Sequence, residues 1–177
     1  MSLTLITGGA RSGKSTHALN LVNEADNVLF VATAQAFDDD MRHRIANHKL
    51  ERPSHWGTLE APQQVGQALT ANDYPATTII IDCLTMLTSN IILALGDDID
   101  TPTAEQAIKH EIDQLLTAYQ RKRHNMIIVT NEVGLGIVPA YKLGRIYRDA
   151  LGRANQQVAA VADQVIFMVS GIPMNVK

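Results

Sequence analysis

Along this chain, short and almost uniformly apolar runs alternate with longer stretches of mixed polarity. The runs at 3–7, 28–33, 77–82, 126–131 and 164–170 are rich in β-branched residues and have few polar positions. They read as strands buried on both faces, because a strand with one wet face would alternate apolar and polar residues. The stretches at 14–24, 37–50, 62–71, 84–95, 103–122 and 141–162 read as helices. Strand and helix alternating in this way predict an α/β fold, a three-layer sandwich with helices on both faces of a mostly parallel central sheet. Gly57-Thr58-Leu59, closed by Glu60, reads as the end of an edge strand, and 96–100 reads as a surface loop before a helix that starts at Pro102-Thr103. Asp38-Asp39-Asp40 falls at a helix start and Arg121-Lys122-Arg123-His124 at a helix end. Both complement the helix dipole, so capping explains them better than a metal or polyanion site does.

Composition narrows the class. With 177 residues, 46% of them apolar and 19% charged, the chain has the length and core of one domain spanning 1–177. A formal net charge of -3 gives no reason to expect nucleic acid or an acidic membrane as a partner, so the ligands should be small. Cys83 is the single cysteine, which excludes an internal disulfide and a cysteine zinc cluster, suits a reducing compartment, and reads as a small buried thiol. The first residues have only a short apolar stretch and no basic start, and no run approaches the roughly 18 apolar residues of a membrane span. A cytoplasmic protein without stable membrane insertion is expected.

One segment carries specific chemistry. Gly8-Gly9-Ala10-Arg11-Ser12-Gly13-Lys14-Ser15 fits G-x-x-x-x-G-K-[ST], between a predicted strand and a predicted helix, as a phosphate-binding P-loop requires. The glycines let backbone amides converge on phosphate oxygens, the helix start adds its dipole, and Lys14 meets the β/γ charge as a catalytic cation. Ser15 is the expected Mg²⁺ ligand, joined by Asp82, which closes the run Thr77-Thr78-Ile79-Ile80-Ile81-Asp82 in the Walker B manner. The fold is therefore expected to be a P-loop (RecA-like) nucleotide-binding domain. Thr33, Ala34 and Gln35 close the second strand at the carboxyl edge, where α/β sheets bind ligands, and are expected to contact nucleotide. A GTPase switch needs an N-K-x-D motif, but the corresponding strand runs into Thr130-Asn131-Glu132-Val133-Gly134. A nucleic-acid motor would show a basic surface and usually a longer chain. A small-molecule phosphotransferase or nucleotidyltransferase fits better.

The wider run Ile6-Thr7-Gly8-Gly9-Ala10-Arg11-Ser12-Gly13-Lys14-Ser15 is more particular than a general P-loop. Further segments follow in order: Ala32-Thr33-Ala34-Gln35, Met41, Arg44-Ile45-x-x-His48-Lys49, Arg52-Pro53, Trp56 and Thr58-Leu59-Glu60. Then come Val129-Thr130-Asn131-Glu132-Val133-Gly134-x-Gly136-Ile137-Val138-Pro139, Gly152-Arg153-x-Asn155-Gln156 and Val169-Ser170-Gly171-Ile172-Pro173. Together they resemble the bifunctional adenosylcobinamide kinase/adenosylcobinamide-phosphate guanylyltransferases of cobalamin biosynthesis over essentially the whole chain. Only 96–105 has no counterpart.

The resemblance implies a cytoplasmic homotrimer with two activities. Adenosylcobinamide is phosphorylated with ATP or GTP, and GMP from GTP is then passed to that phosphate through a guanylylated histidine, which the motif puts at His48. An imidazole with an ordinary pKa of about 6.5 is a competent nucleophile at neutral pH. Lys49 and Arg52, next to it in sequence, could neutralise the triphosphate, and the likeness suggests that Glu60 contacts guanine or ribose. Asn131 and Glu132 are expected either on the cobinamide side or in positioning. Arg145, Arg148 and Arg153 could either bind substrate phosphate or line the wet face of a helix. With only Phe30, Phe37, Phe167, four tyrosines and Trp56, one chain has little aromatic surface for a corrin ring, so a groove completed by a neighbouring subunit is expected. The competing reading is a kinase of another small metabolite, with His48 a bystander.

Overall fold

The computed structural model describes residues 1–177 apart from Glu24, Phe37 and Arg123, and describes Asp40, Arg44, Asn47 and Lys122 by their backbone alone. The expected helix limits at 24 and 37, part of the basic cluster, and the side chains of Asp40 and Arg44 lie outside the described residues. In chain order the elements are β1 (Leu3–Gly8), α1 (Lys14–Asn20), β2 (Val28–Ala32), α2 (Asp39–Leu50), β3 (Gly57–Glu60), α3 (Val65–Ala71) and β4 (Thr78–Asp82). They continue with α4 (Leu84–Leu95), α5 (Thr101–Lys122), β5 (Asn125–Val129), a 3-10 turn (Val133–Leu135), α6 (Lys142–Val161), β6 (Gln164–Val169) and β7 (Ile172–Asn175). The strands form one seven-stranded sheet in the order β3-β2-β4-β5-β1-β6-β7. All neighbours are parallel except β6 and β7.

The apolar strands are buried on both faces, as their composition demands. Leu5, Leu29, Val31, Ile79, Ile81 and Ile128 point into one core with α3 to α6, while Ile6, Phe30, Ile80, Ile127 and Ile166 point into the other with Ala18 of α1 and Trp56. The period-2 alternation of adjacent residues between these cores is what makes the sheet the middle of three layers. Among the described residues, no helix is long and apolar enough to cross a membrane.

Several boundaries move for tertiary reasons. The helix expected from 62 starts at Val65, because the Gln64 and Val65 amides donate to the Glu111 carboxylate of α5 at 2.9 and 2.7 Å. Its first residues then fix its contact with α5: a Cβ on Gly66 would lie 2.3 Å from the Gln114 carbonyl carbon, so only glycine lets the two backbones meet. The helix expected at 14–24 ends at Asn20, with Leu21 as its C-cap. The loop at 96–100 is partly tucked in, since Ile99 is buried, and Asp100 caps α5 through the Thr103 amide at 2.8 Å. Asp38 does cap α2, accepting from the Met41 amide at 2.7 Å. β7 is absent from the sequence reading. It is short, contains Pro173 and is exposed, and it pairs with β6 through a two-residue turn at Ser170 and Gly171, both at positive φ.

Candidate active site

The carboxyl ends of β1, β2, β4 and β5 open onto a cleft of about 1130 Å³. The turn out of β1 forms one wall. Gly8 has φ +150°, and a Cβ there would lie 2.5 Å from the Met168 carbonyl oxygen, so the first glycine of the loop is obligatory. Ala10, Arg11, Ser12, Gly13, Lys14 and Ser15 line the cleft, with Gly13 as N-cap of α1. Lys14 is only 8% exposed, and its Nζ donates to the Gly9 carbonyl at 2.6 Å and to Ser12 Oγ at 3.4 Å. Burial pulls the Lys14 ammonium below its ordinary value, and the nearby Cys83 and Asp82 push it partly back.

Asp82, at the end of β4, lines the floor, followed by Cys83 and Thr85 at the head of α4. Cys83 is half-buried and borders the cleft, and burial with the Asp82 charge pushes its thiol up to about 12, which makes it inert. The Ser15 hydroxyl and Asp82 carboxylate are hard oxygen donors facing one cavity. They are too few for a closed protein cage, and they suit a Mg²⁺ that draws its other ligands from phosphate and water.

The third wall comes from β2, α2 and β3. Ala34, Gln35, His48, Lys49, Arg52 and Glu60 all line the cleft, so residues spread over 27 positions of sequence meet the phosphate loop there. Lys49 Nζ donates to Glu60 Oε1 at 2.7 Å, which clips the end of α2 to the end of β3. That hydrogen bond and charge, helped by Arg52, hold the Glu60 carboxyl below its ordinary range. The Arg52 guanidinium sits 3.3 Å over the centroid of the Phe30 ring. Its Nη1 is buried without a hydrogen-bond partner among the described residues, a donor available to an anion entering the cleft. His48 Nδ1 lies 3.1 Å from Glu51 Oε2.

Thr33 corrects an expectation. It is fully buried and faces away from the cleft, its hydroxyl donating to the Cys83 carbonyl and accepting from the Cys83 amide, each at 2.7 Å. It braces β2 against the head of α4, and of this segment only Ala34 and Gln35 line the cleft. Asn90 adds a second brace, donating to the Thr33 and Pro62 carbonyls at 2.8 and 2.9 Å. On the other side Asn131 lines the cleft, with its amide held by Thr85 Oγ1 at 2.8 Å and its carbonyl by Asn155 Nδ2 at 3.0 Å. The Glu132 amide donates to the Gly8 carbonyl at 3.1 Å, tying this loop to the phosphate loop.

The arginines of α6 are not brought into the cleft. Arg145 holds the Pro139 and Ala140 carbonyls, Arg148 pairs with Asp149, and Arg153 pairs with Glu105. That Phe30 and Val129 on strands and Met41, Ile45 and Met86 on helices line the cleft escaped the sequence reading, because an apolar residue that borders a cleft looks like any core residue. Glu51 could have been found from its position three residues after His48.

A glycine loop with a buried lysine at a helix start, an acidic strand end beside it and a histidine on the opposite wall define a P-loop nucleotide-binding enzyme. The chain belongs to the cobinamide kinase / cobinamide phosphate guanyltransferase family (CobU), whose model matches residues 4–176. It is 44% identical to the bifunctional adenosylcobalamin biosynthesis protein CobU of Salmonella typhimurium, with 99% of each chain covered. It is 43% identical to CobU of Escherichia coli, again over 99% of each. The bifunctional adenosylcobalamin biosynthesis protein CobP of Pseudomonas aeruginosa is 40% identical over 98% of this chain and 96% of its own.

Proposed function

We propose that this protein phosphorylates adenosylcobinamide with ATP or GTP and then guanylylates the product from GTP, giving adenosylcobinamide-GDP and pyrophosphate. The observation that carries this reading is that His48 and the phosphate loop line the same cleft. The family match, to cobinamide kinase / cobinamide phosphate guanyltransferase, does not favour a kinase of another metabolite with His48 a bystander.

The loop amides and Lys14 bind the β- and γ-phosphates, Lys14 exchanging the Gly9 carbonyl for phosphate oxygen. In the first reaction the hydroxyl oxygen of adenosylcobinamide attacks the γ-phosphorus and the bond to the β–γ bridging oxygen breaks. ADP or GDP leaves with that bond's electron pair, and the hydroxyl proton is released to solvent. In the second, the His48 imidazole attacks the α-phosphorus of GTP and pyrophosphate departs into the same cradle; the substrate phosphate then takes the guanylyl group from the ring. One cradle thus serves attack at either end of the triphosphate. Arg52 and Lys49 offer positive charge on the His48 side, and Ala34, Gln35 and Glu60 are placed for the nucleoside. Ser15 and Asp82 would hold a Mg²⁺, which would supply charge neutralisation at the phosphates.

A RecA-like arrangement is supported by β5 lying between the phosphate-loop strand β1 and the acidic strand β4. The protein is read as one domain that works in the cytoplasm as a homotrimer. The loop after β5 leaves Leu135, Ile137, Val138 and Tyr141 exposed beside the cleft, which supports a corrinoid groove there, completed by a neighbouring subunit. Incubation with adenosylcobinamide, GTP and Mg²⁺, followed by chromatography for adenosylcobinamide-GDP, tests the whole reading. Formation of the phosphate but never the GDP ester would reduce it to a kinase.

A further inference from the structure

We infer that Glu51 is a positioning residue for guanylyl transfer, holding the Nδ1 proton of His48 so that the guanylyl group is carried on Nε2. The inference rests on the reading of His48 as the nucleophile. His48 is in the last turn of α2 and Glu51 follows the helix directly, a spacing of three residues that brings the two side chains to one side. The Nδ1 to Oε2 distance is 3.1 Å. An ionised carboxylate only accepts hydrogen bonds, so the shared proton belongs to the ring, and a neutral imidazole protonated on Nδ1 has its lone pair on Nε2. Among the described residues of this wall, Arg52 also lies within electrostatic reach of Glu51, and both it and Lys49 have a further contact. Lys49 is bonded to Glu60 at 2.7 Å and Arg52 is stacked on Phe30.

The reaction balances with that proton left in place. The Nε2 lone pair attacks the α-phosphorus, a nitrogen–phosphorus bond forms, and the bond from the α-phosphorus to the bridging oxygen breaks, its electron pair leaving with pyrophosphate. The ring keeps its Nδ1 proton and becomes a cation, and the charge develops against the Glu51 carboxylate. When an oxygen of the substrate phosphate attacks in turn, the nitrogen–phosphorus bond breaks and its electron pair returns to Nε2. The ring is neutral again with Nδ1 still protonated. Glu51 therefore stabilises the charge that appears in both half-reactions, the part a buried aspartate plays in a serine-protease triad. Here the side chains of His48 and Glu51 are 40% and 53% exposed, so water screens the pair. An effect of about 10-fold is expected, far below the ~10⁴ of a buried triad carboxylate.

The test uses the full-length protein, labelled with ¹⁵N-histidine and incubated with GTP and Mg²⁺ without corrinoid. ³¹P–¹⁵N coupling identifies the nitrogen that carries phosphorus. The expected result is an adduct on Nε2 of His48. Glu51→Ala should slow adduct formation about 10-fold at saturating GTP, leave the half-saturating GTP concentration unchanged, and let phosphorus appear on both nitrogens. Glu51→Gln, whose amide oxygen still accepts from Nδ1, should keep phosphorus on Nε2 and recover part of the rate. A wild-type adduct on Nδ1, or a Glu51→Ala protein with wild-type rate and regiochemistry, overturns the role of Glu51 and leaves His48 as nucleophile. Absence of any adduct on His48, checked against His48→Ala, overturns the nucleophile reading and this inference with it.

Discussion

Lys14→Met separates what the phosphate loop needs for binding from what it needs for stability. Methionine has nearly the length of lysine, so the change removes a buried charge without opening a large void. The ammonium has two acceptors, the Gly9 carbonyl at 2.6 Å and Ser12 Oγ at 3.4 Å. Hydrogen bonds to charged groups contribute about 1.5–3 kcal/mol each, the longer one least, while desolvating an ion costs several kcal/mol. The two nearly cancel, and the nucleotide-free variant should lie within about 2 kcal/mol of wild type. With GTP and Mg²⁺ at about 100 times Kd, mass action stabilises the wild type by about 2.7 kcal/mol, a shift of about 5–11 °C in a chain of this size. Lys14→Met should lose that shift, as differential scanning fluorimetry with a GTP–Mg²⁺ titration would register.

The pH dependence has a fixed sign. Because burial lowers the Lys14 pKa in the folded state, the unfolded chain binds the extra proton between that value and the ordinary lysine value. In that alkaline window, stability of the nucleotide-free protein should rise with pH from this group, while GTP affinity falls as the charge disappears. Both slopes should vanish in Lys14→Met. A variant that keeps the GTP-induced shift, or a nucleotide-free loss above about 4 kcal/mol, would refute the reasoning.

Three other perturbations have definite outcomes. His48→Ala should abolish the covalent GMP adduct and GMP transfer while adenosylcobinamide phosphorylation persists. With α-labelled GTP the wild-type adduct should be acid-labile and alkali-stable, as a phosphorus–nitrogen bond is; acid-labile label on the variant would move the nucleophile to another histidine, with His43 and His55 first to test. Glu111→Ala strands two amides at the head of α3 and should cost about 3 kcal/mol, about 6–12 °C in melting temperature by circular dichroism; a loss under about 1 kcal/mol would mean that water replaces the carboxylate. Gly66→Ala places a Cβ 2.3 Å from the Gln114 backbone and should destabilise by at least about 3 kcal/mol or prevent folding, and a normal melting curve would contradict the close α3–α5 contact.

The chain alone determined whatever depends on contiguous residues. The phosphate loop was legible because eight successive positions build it from their own backbone, and Asp82 because it ends a strand buried on both faces. The central sheet and the main helices follow from the apolar runs for the same reason, and resemblance brought His48, Lys49, Arg52 and Glu60 forward. Only the tertiary structure decided how distant residues share their hydrogen bonds. Glu111 starts α3 from 47 positions away from Gln64, and Thr33 gives its hydroxyl to Cys83 rather than to the cleft. Arg145 closes on its own loop, and β7 exists because β6 offers it an edge. Local periodicity reports which face of an element is apolar. Which polar partner a side chain finds is set when the sheet order brings strand ends together, and that order is not written in any one segment.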